Sequence, residues 1–353
     1  MYKRYRTNLL LAIFTLLCYV SVLLPPAWWF VLGFFALLIP VLLLLNTLLS
    51  IYWLLCRRYL KSLVSFGVLL IGFPFLKATF TWSFPPATLP KTAFTVLSYN
   101  VRVFNAFQFT SDEPSRQIID WAKYDGAAIK CFQEFYHHPK SDVFNTLHTL
   151  TKRETYQYFF KPSFIDGKGG QFGLAIFSKH PIVQQGEVEM YDNSPNDAIF
   201  VDVVIHRDTV RIYNIHLQSM KISTQRIANT NRHNFNRNIS DLAARLRDGF
   251  IARSQQIDHL VEHINHSPYP VIVCGDLNDV PYSYTYFRLK STLKNTFEQA
   301  GRGFGYSYNS SWLLIRIDNL FHSPQLQAQD FYTHQEVGYS DHYPIKGTYS
   351  VSK

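Results

Sequence analysis

The chain has 353 residues, 34 of them Lys or Arg and 25 Asp or Glu, for a net charge of +9. Its 47% hydrophobic and 16% aromatic content excludes a mostly disordered chain, and four cysteines exclude a disulfide-dense scaffold. The length holds one large or two ordinary domains and buries a full core without covalent staples.

The charge is unevenly placed. No acid precedes Asp112, whereas Lys3, Arg4, Arg6, Arg57, Arg58, Lys61 and Lys77 put +7 on the first 90 residues. The remainder then has 27 bases against all 25 acids, a net of +2. Three apolar runs fill the first part: Leu9 to Leu24, ending at Pro25-Pro26; Ala27 to Leu55, interrupted by Pro40, Asn46 and Ser50; and Leu63 to Leu76, extending to Phe84. A membrane-spanning helix needs about 20 apolar residues. Residues 1–84 are therefore expected to form a membrane anchor of three helices, at about 8–25, 27–55 and 62–84. The lipid bilayer is then a partner through these helices, and no protein partner is expected. Basic residues stay on the cytoplasmic side. Lys3-Arg4-Arg6 and Arg57-Arg58-Lys61 are thus placed inside, the uncharged turn around Trp28-Trp29 outside, and everything after the third span outside the cytoplasm. A cleaved signal peptide would share the basic start, but no clear small-residue cleavage site follows the first run.

Residues 85–91 contain Pro85-Pro86 and Pro90 and form a stiff linker. From residue 92 to 353, strand-like and helix-like segments alternate. Phe94 to Val103 is expected as a strand, Ser115 to Ala122 as a helix, and Ala127 to Glu134 as a strand ending in an acid. Leu174 to Ser178, Ile199 to Ile205, Val210 to His216 and Val271 to Asp276 are further strands, the middle two paired as a hairpin. Lys221 to Arg253 has seven bases against Asp241 and Asp248. It reads as a solvated helical excursion or as a basic flap over a phosphate-bearing substrate. Ser240 to Ile264 carries the apolar spacing of a helix. The domain mixes α and β, with polar residues gathered at strand ends, where α/β proteins place their sites.

Those strand ends are Asn100, Glu134, His216, Asp276, Asn278, Asp318, Asp341 and His342. Carboxylate and amide oxygens suit a hard cation such as Mg²⁺, with Mn²⁺ as the alternative. The missing His-Glu-x-x-His and Cys-rich patterns argue against zinc, and the missing Gly-x-Ser-x-Gly against a serine hydrolase. Gly167, Gly169 and Gly170 are not followed by Gly-Lys-Ser/Thr, so they make no P-loop.

Six segments then occur in a telling order: Ser98-Tyr99-Asn100-Val101, Phe132-Gln133-Glu134, Asn214-Ile215-His216-Leu217, Gly275-Asp276-Leu277-Asn278, Arg316-Ile317-Asp318 and Ser340-Asp341-His342-Tyr343-Pro344-Ile345. The chain resembles the endonuclease/exonuclease/phosphatase superfamily, in particular its DNase I and neutral sphingomyelinase branches, which place a second histidine where His216 stands. The resemblance implies an α/β (α+β), DNase I-like fold, a four-layered β-sandwich flanked by helices, and hydrolysis of a phosphate ester with a divalent metal. It implies that Glu134 is the main metal ligand, with Asn100 and Asp341 beside it. Asp276 would orient or deprotonate the attacking water. Asn278, His216 and His342 would bind the scissile phosphate, with Asp318 fixing the His342 tautomer. The expected protein is a membrane-anchored phosphodiesterase acting on nucleic acid, a phospholipid headgroup or a small phosphate ester. A DNase-type endonuclease outside the cytoplasm and a non-catalytic binding domain are the alternatives. The +2 charge beyond the anchor argues against a strongly DNA-binding surface.

Overall fold

The computed structural model describes residues 2–152, 155–190, 197–220, 235–310 and 314–351. They group into two units: a helical one (Met1–Phe80, Ser219–Gln255, Val280–Arg288) and a mostly β one (Thr81–Gln218, Gln256–Asp279, Leu289–Lys353).

The helical unit contains α1 (Tyr2–Ser21), α2 (Val31–Leu37), α3 (Ile39–Leu55), α4 (Tyr59–Ile71) and α5 (Phe73–Thr79). The expected continuous helices over 27–55 and 62–84 are broken. The first bends by 44° between α2 and α3, and the second by 61° between α4 and α5. Pro sits in the first turn of both α3 and α5, where its missing N–H is harmless but its ring prevents the preceding helix from running on. Among the described residues no single helix is long and apolar enough to cross a membrane; the two bent pairs pass that test by length and composition. The third run also stops short of Phe84, because Thr81–Trp82 (β1) is a strand.

Inside this unit the helix contacts are partly polar. Asn46 Nδ2 donates to Thr15 Oγ1 at 2.9 Å, Ser65 Oγ donates to Asn8 Oδ1 at 2.7 Å, and the Ser50 and Ser62 hydroxyls lie 3.0 Å apart. Residues from later in the chain pack here too. Phe250 meets Phe34 edge-on at 5.3 Å, Phe287 lies 4.9 Å from Phe75, and the Tyr282 and Thr79 hydroxyls are 2.7 Å apart. Of the basic stretch from Lys221 to Arg253, residues 221–234 lie outside the described residues. Arg253 is fully buried, its guanidinium 5.6 Å from the Phe250 ring, so it belongs to packing rather than to an open basic flap.

In the second unit, strand alternation sorts the chain into layers. Its strands are β1, β2 (Phe94–Asn100), β3 (Ile129–His137), β4 (Gln157–Ile165), β5 (Gln171–Ser178), β6 (Ile182–Val188), β7 (Ala198–Ile205), β8 (Asp208–His216), β9 (Val271–Asp276), β10 (Lys294–Asn295), β11 (Arg302–Gly303), β12 (Asp318–His322), β13 (Leu326–Thr333) and β14 (Ile345–Val351). One sheet has the order β13-β14-β2-β3-β5-β4 and the other β10-β12-β9-β8-β7-β6; β1 pairs with β11 apart from them. The pairs β2–β3 and β8–β9 are parallel.

The two sheets share one core. Val96, Ile129, Cys131, Leu174 and Ile176 come from the first sheet, and Ile199, Val201, Ile212, Ile272, Cys274 and Leu320 from the second. The alternate residues Leu97, Tyr99, Phe132 and Phe177 face outward and pack with Ile118, Ile119 and Ala122 of α6 (Glu113–Tyr124) and Leu150 of α7 (Thr146–Thr151). On the second sheet, Tyr213 OH pairs with Nδ1 of His263 at 2.9 Å, near the C-terminal end of α8 (Phe235–Asn265). Helix, sheet, sheet and helix make the four-layered α/β sandwich. The expected strand to Val103 ends at Asn100 and is followed by a turn, Arg102–Asn105, in which all four residues have φ between 46° and 57°. The strand begun near Ala127 continues past Glu134 to His137.

Candidate active site

The inter-sheet face of each central strand is apolar along its length and polar at its C-terminal end. Period two carries Val96 to Ser98 and Asn100, Ile212 to Asn214 and His216, Ile272 to Cys274 and Asp276. On antiparallel β12 the polar residue comes first, so Asp318 lies opposite Asp276 in register. His216 also lies opposite Asp276, across the parallel β8–β9 ladder. The polar ends therefore collect at one end of the sandwich.

Glu134 breaks this rule. Phe132 and Phe135 both face the outer helices although they are three positions apart, where strict alternation allows only an even spacing. A bulge resolves the conflict: the β3–β5 register shifts between Phe132 and Phe135, and Glu134 takes φ 50°. Its carboxylate thereby joins the cluster.

Asn100 Nδ2 donates to Glu134 Oε1 at 3.2 Å and to Asp276 Oδ2 at 3.1 Å. The Asn100 oxygen is taken by the Arg102 N–H at 3.0 Å. His216 Nε2 lies 3.7 Å from Glu134 Oε1 and 3.8 Å from Asp276 Oδ2, too far to hydrogen bond, and this buried nitrogen has no partner among the described residues. His342 Nδ1 is bonded to Asp318 Oδ2 at 2.8 Å, and its Nε2 is 3.7 Å from Asp276 Oδ2. Burial opposes the His342 imidazolium, but Asp318, Asp276 and Asp341 outweigh it and hold its pKa well above the ordinary 6.5. Asp276 Oδ1 accepts the Asn278 N–H at 2.7 Å, so both its oxygens are engaged. The Asn278 side chain donates to Leu217 O at 2.9 Å. Asp341 is tied to Arg102 Nε at 3.3 Å and to Ser340 Oγ at 3.3 Å.

All eight residues singled out in the sequence thus lie at this end of the sandwich; six of them, Asn100, Glu134, His216, Asp276, Asp318 and His342, join through side-chain distances of 3.8 Å or less, and Asn278 joins through its backbone N–H. Residues without a role in the sequence reading support them. Ser340 Oγ donates to the Asn100 carbonyl at 2.9 Å, and Ser307 Oγ accepts the Asp318 N–H at 2.9 Å. Arg102 falls inside the strand expected to run to Val103 and has no role assigned to it. Ser307 had no local signal, because its partner is eleven residues away across a loop.

The donors fit a hard divalent cation. Asp276, Asp318 and His342 offer ligand atoms within 4.8 Å of one another. The Asp318–His342 hydrogen bond already commits two of these, however. Glu134, with its side chain 37% exposed, is the most open carboxylate of the group, followed by Asp341 at 30%, and the unpartnered His216 Nε2 faces Glu134.

Residues 97–342 match the Endonuclease/Exonuclease/phosphatase family, and residues 4–79 match a domain of unknown function. No curated protein matches the chain. Solved structures share the fold. An endonuclease/exonuclease/phosphatase family protein from Leptotrichia buccalis aligns at 15% identity and TM-score 0.54, over 74% of this chain and 100% of its own. The human Nocturnin catalytic domain, with a bound sulfate anion, aligns at 17% and 0.53, over 75% of this chain and 97% of its own. The TDP2 of D. rerio, complexed with a single-strand DNA product, aligns at 16% and 0.52, over 73% of this chain and 99% of its own.

Proposed function

Since the chain belongs to the endonuclease/exonuclease/phosphatase family, whose members are hydrolases of phosphate esters, we propose that it is a membrane-anchored, Mg²⁺-dependent phosphodiesterase working outside the cytoplasm. The observation that carries the reading is the His342–Asp318 pair at 2.8 Å beside Asp276, with the unpartnered His216 nitrogen across from it.

In-line hydrolysis needs an oriented water, charge neutralisation on the phosphoryl oxygens and a proton for the leaving oxygen. Asp276, fixed through both oxygens, orients and deprotonates the water. His342, kept protonated by its carboxylate neighbours, binds the scissile phosphate and supplies a proton. Asp318 holds its tautomer. His216 donates from Nε2 to a phosphoryl oxygen, which gives that buried nitrogen the partner it lacks. Asn278 adds a further contact to the phosphate. Glu134, with Asn100 and Asp341, would hold the cation, which when bound acts as a Lewis acid on the phosphoryl group.

The anchor rests on the acid-free first 90 residues and on the apolar side chains the helical unit exposes, among them Leu10, Leu17, Trp28, Leu44, Leu55 and Leu60. Exposed apolar patches mark a surface meant for lipid or a partner, and the two bent helix pairs, which reach a spanning length and composition together, favour lipid. The basic clusters at Lys3-Arg4-Arg6 and Arg57-Arg58-Lys61 set the orientation.

The test is hydrolysis by the full chain in detergent. Plasmid DNA, sphingomyelin and bis-p-nitrophenyl phosphate are offered with Mg²⁺, Mn²⁺ or EDTA. Activity restored by Mg²⁺ and abolished by EDTA is expected. Metal-independent activity, or full activity after His342→Ala and Asp276→Ala, overturns the reading. Cleavage of plasmid alone would turn it into a DNase-type endonuclease.

A further inference from the structure

The bulge that brings Glu134 to the mouth has a support on the opposite sheet. Asn214 on β8 points into the inter-sheet space, where it is fully buried. Its Nδ2 donates to the carbonyls of Phe132 at 2.9 Å and Ala175 at 3.1 Å. Those two residues are the register pair immediately before the β3–β5 ladder breaks. Its Oδ1 accepts from Gln133 Nε2 at 2.6 Å, and the same nitrogen reaches Ser98 Oγ on β2 at 3.1 Å. Gln133 and Ser98 are buried as well. One side chain of the second sheet therefore grips two strands of the first, β3 and β5, and is linked through Gln133 to a third, β2, at the residue next to Glu134.

Bulges re-aim side chains, and they persist only where their displaced backbone groups find partners. The helical face of the sheet offers Phe132 and Phe135 rings, which cannot bond a carbonyl. The donor must come from within the sandwich, and Asn214 is the residue that supplies it. It also stands two residues before His216 on the same strand and the same face. The group that fixes the Glu134 bulge is thus part of the strand that carries the facing histidine.

We propose that Asn214, acting through Gln133 and the Phe132 and Ala175 carbonyls, is a positioning residue that holds the Glu134 bulge and sets the Glu134–His216 separation. The consequence for catalysis rests on the function proposed above; the consequence for cation binding does not. Loss of a group that orients a ligand weakens metal affinity or activity by about 10-fold to 100-fold.

The experiment measures Mn²⁺ binding by calorimetry, kcat/KM on bis-p-nitrophenyl phosphate, and thermal midpoint, on the full chain in detergent. Asn214→Ala is expected to weaken Mn²⁺ binding by about 10-fold and to lower kcat/KM by a similar factor, mainly in kcat. Combined with Glu134→Gln it adds almost nothing, because both changes remove the same placed carboxylate. Thr296→Val is the control: it removes a buried bond to Tyr349 OH of 2.8 Å elsewhere in the same unit, and should lower the midpoint alone. Additive losses with Glu134→Gln, or unchanged Mn²⁺ affinity at a lowered midpoint, overturn the proposal. If Asn214→Ala does not fold, Gln133→Leu breaks the 2.6 Å link instead and must give the same non-additivity. A chain that binds Mn²⁺ but hydrolyses none of the esters defeats the functional reading, while the binding comparison still decides this one.

Discussion

The two units invert each other. In the helical unit Asn8, Thr15, Asn46, Ser62 and Ser65 are buried, while Leu10, Leu23, Trp28, Leu55 and Leu60 are exposed, Leu60 to 83%. In the β unit the shared core is aliphatic and aromatic, and buried polar side chains lie both at the strand ends that form the site and elsewhere in the sandwich, as in the Arg211–Asp202 pair. Water drives apolar side chains inward, so a surface built the other way speaks for a different solvent. The contrast separates what each unit's polar groups do. Those of the helices bind helix to helix; in the sandwich one group of them meets at one end, where the chemistry is proposed to occur.

Substitutions can break this contrast. The largest effect should fall on the site. His342→Ala or Asp276→Ala should lower kcat/KM by about 10²-fold to 10⁴-fold, as loss of a general acid or base does, without releasing the protein from membranes. Next comes the helical unit. Leu44→Arg puts a charge on a side chain 59% exposed. At a bilayer-embedded position that costs about 2.5–3.5 kcal/mol, so the protein should become extractable by carbonate while detergent-solubilised activity is kept. If Leu44→Arg leaves extraction unchanged, the exposed apolar surface is not lipid-facing.

The smallest effect concerns pH. His322 is fully buried, and burial pushes its pKa below 6.5. His137, His180 and His263 are lowered by the same cause. Each takes up a proton less readily in the fold than in the unfolded chain, where a histidine does so near pH 6.5. Their contribution is complete above about pH 6.5 and is lost as pH falls below it toward the folded pKa. These four lower the thermal midpoint of the β unit between about pH 7.5 and pH 5.5, against His342, whose raised pKa acts in the opposite sense, and His322→Gln should raise the midpoint at about pH 5.5 relative to that at about pH 7.5. The first 80 residues contain no histidine, so carbonate extraction of the anchor should not follow this pH dependence.

Much of the site could be read along the chain because it obeys local rules. Asn100, His216 and Asp276 each continue the inward face of an apolar strand, and period two is a property of the backbone. Asp318 and His342 follow from ordered motifs. The helical unit shows in its acid-free apolar runs, but its bends at Leu38 and Gly72 do not. Pro40 and Pro74 warn of a break without setting the angle, which packing between helices decides. The basic stretch misled in one respect: Arg253 counts as a charge in the sequence, but the fold buries it beside Phe250.

The sequence by itself determined the division into an acid-free apolar part and a near-neutral α/β part, the strands, and the residue types at their ends. Composition and short-period alternation act residue by residue, so they survive without knowledge of the fold. Only the tertiary structure decided how Glu134 reaches the mouth. Alternation alone would send it away from Gln133, toward the helices. The bulge reverses that, and it is stabilised from Asn214, whose hydrogen bond to Phe132 joins residues 82 positions apart. A contact at that separation has no local pattern, because it exists only once two sheets have packed face to face.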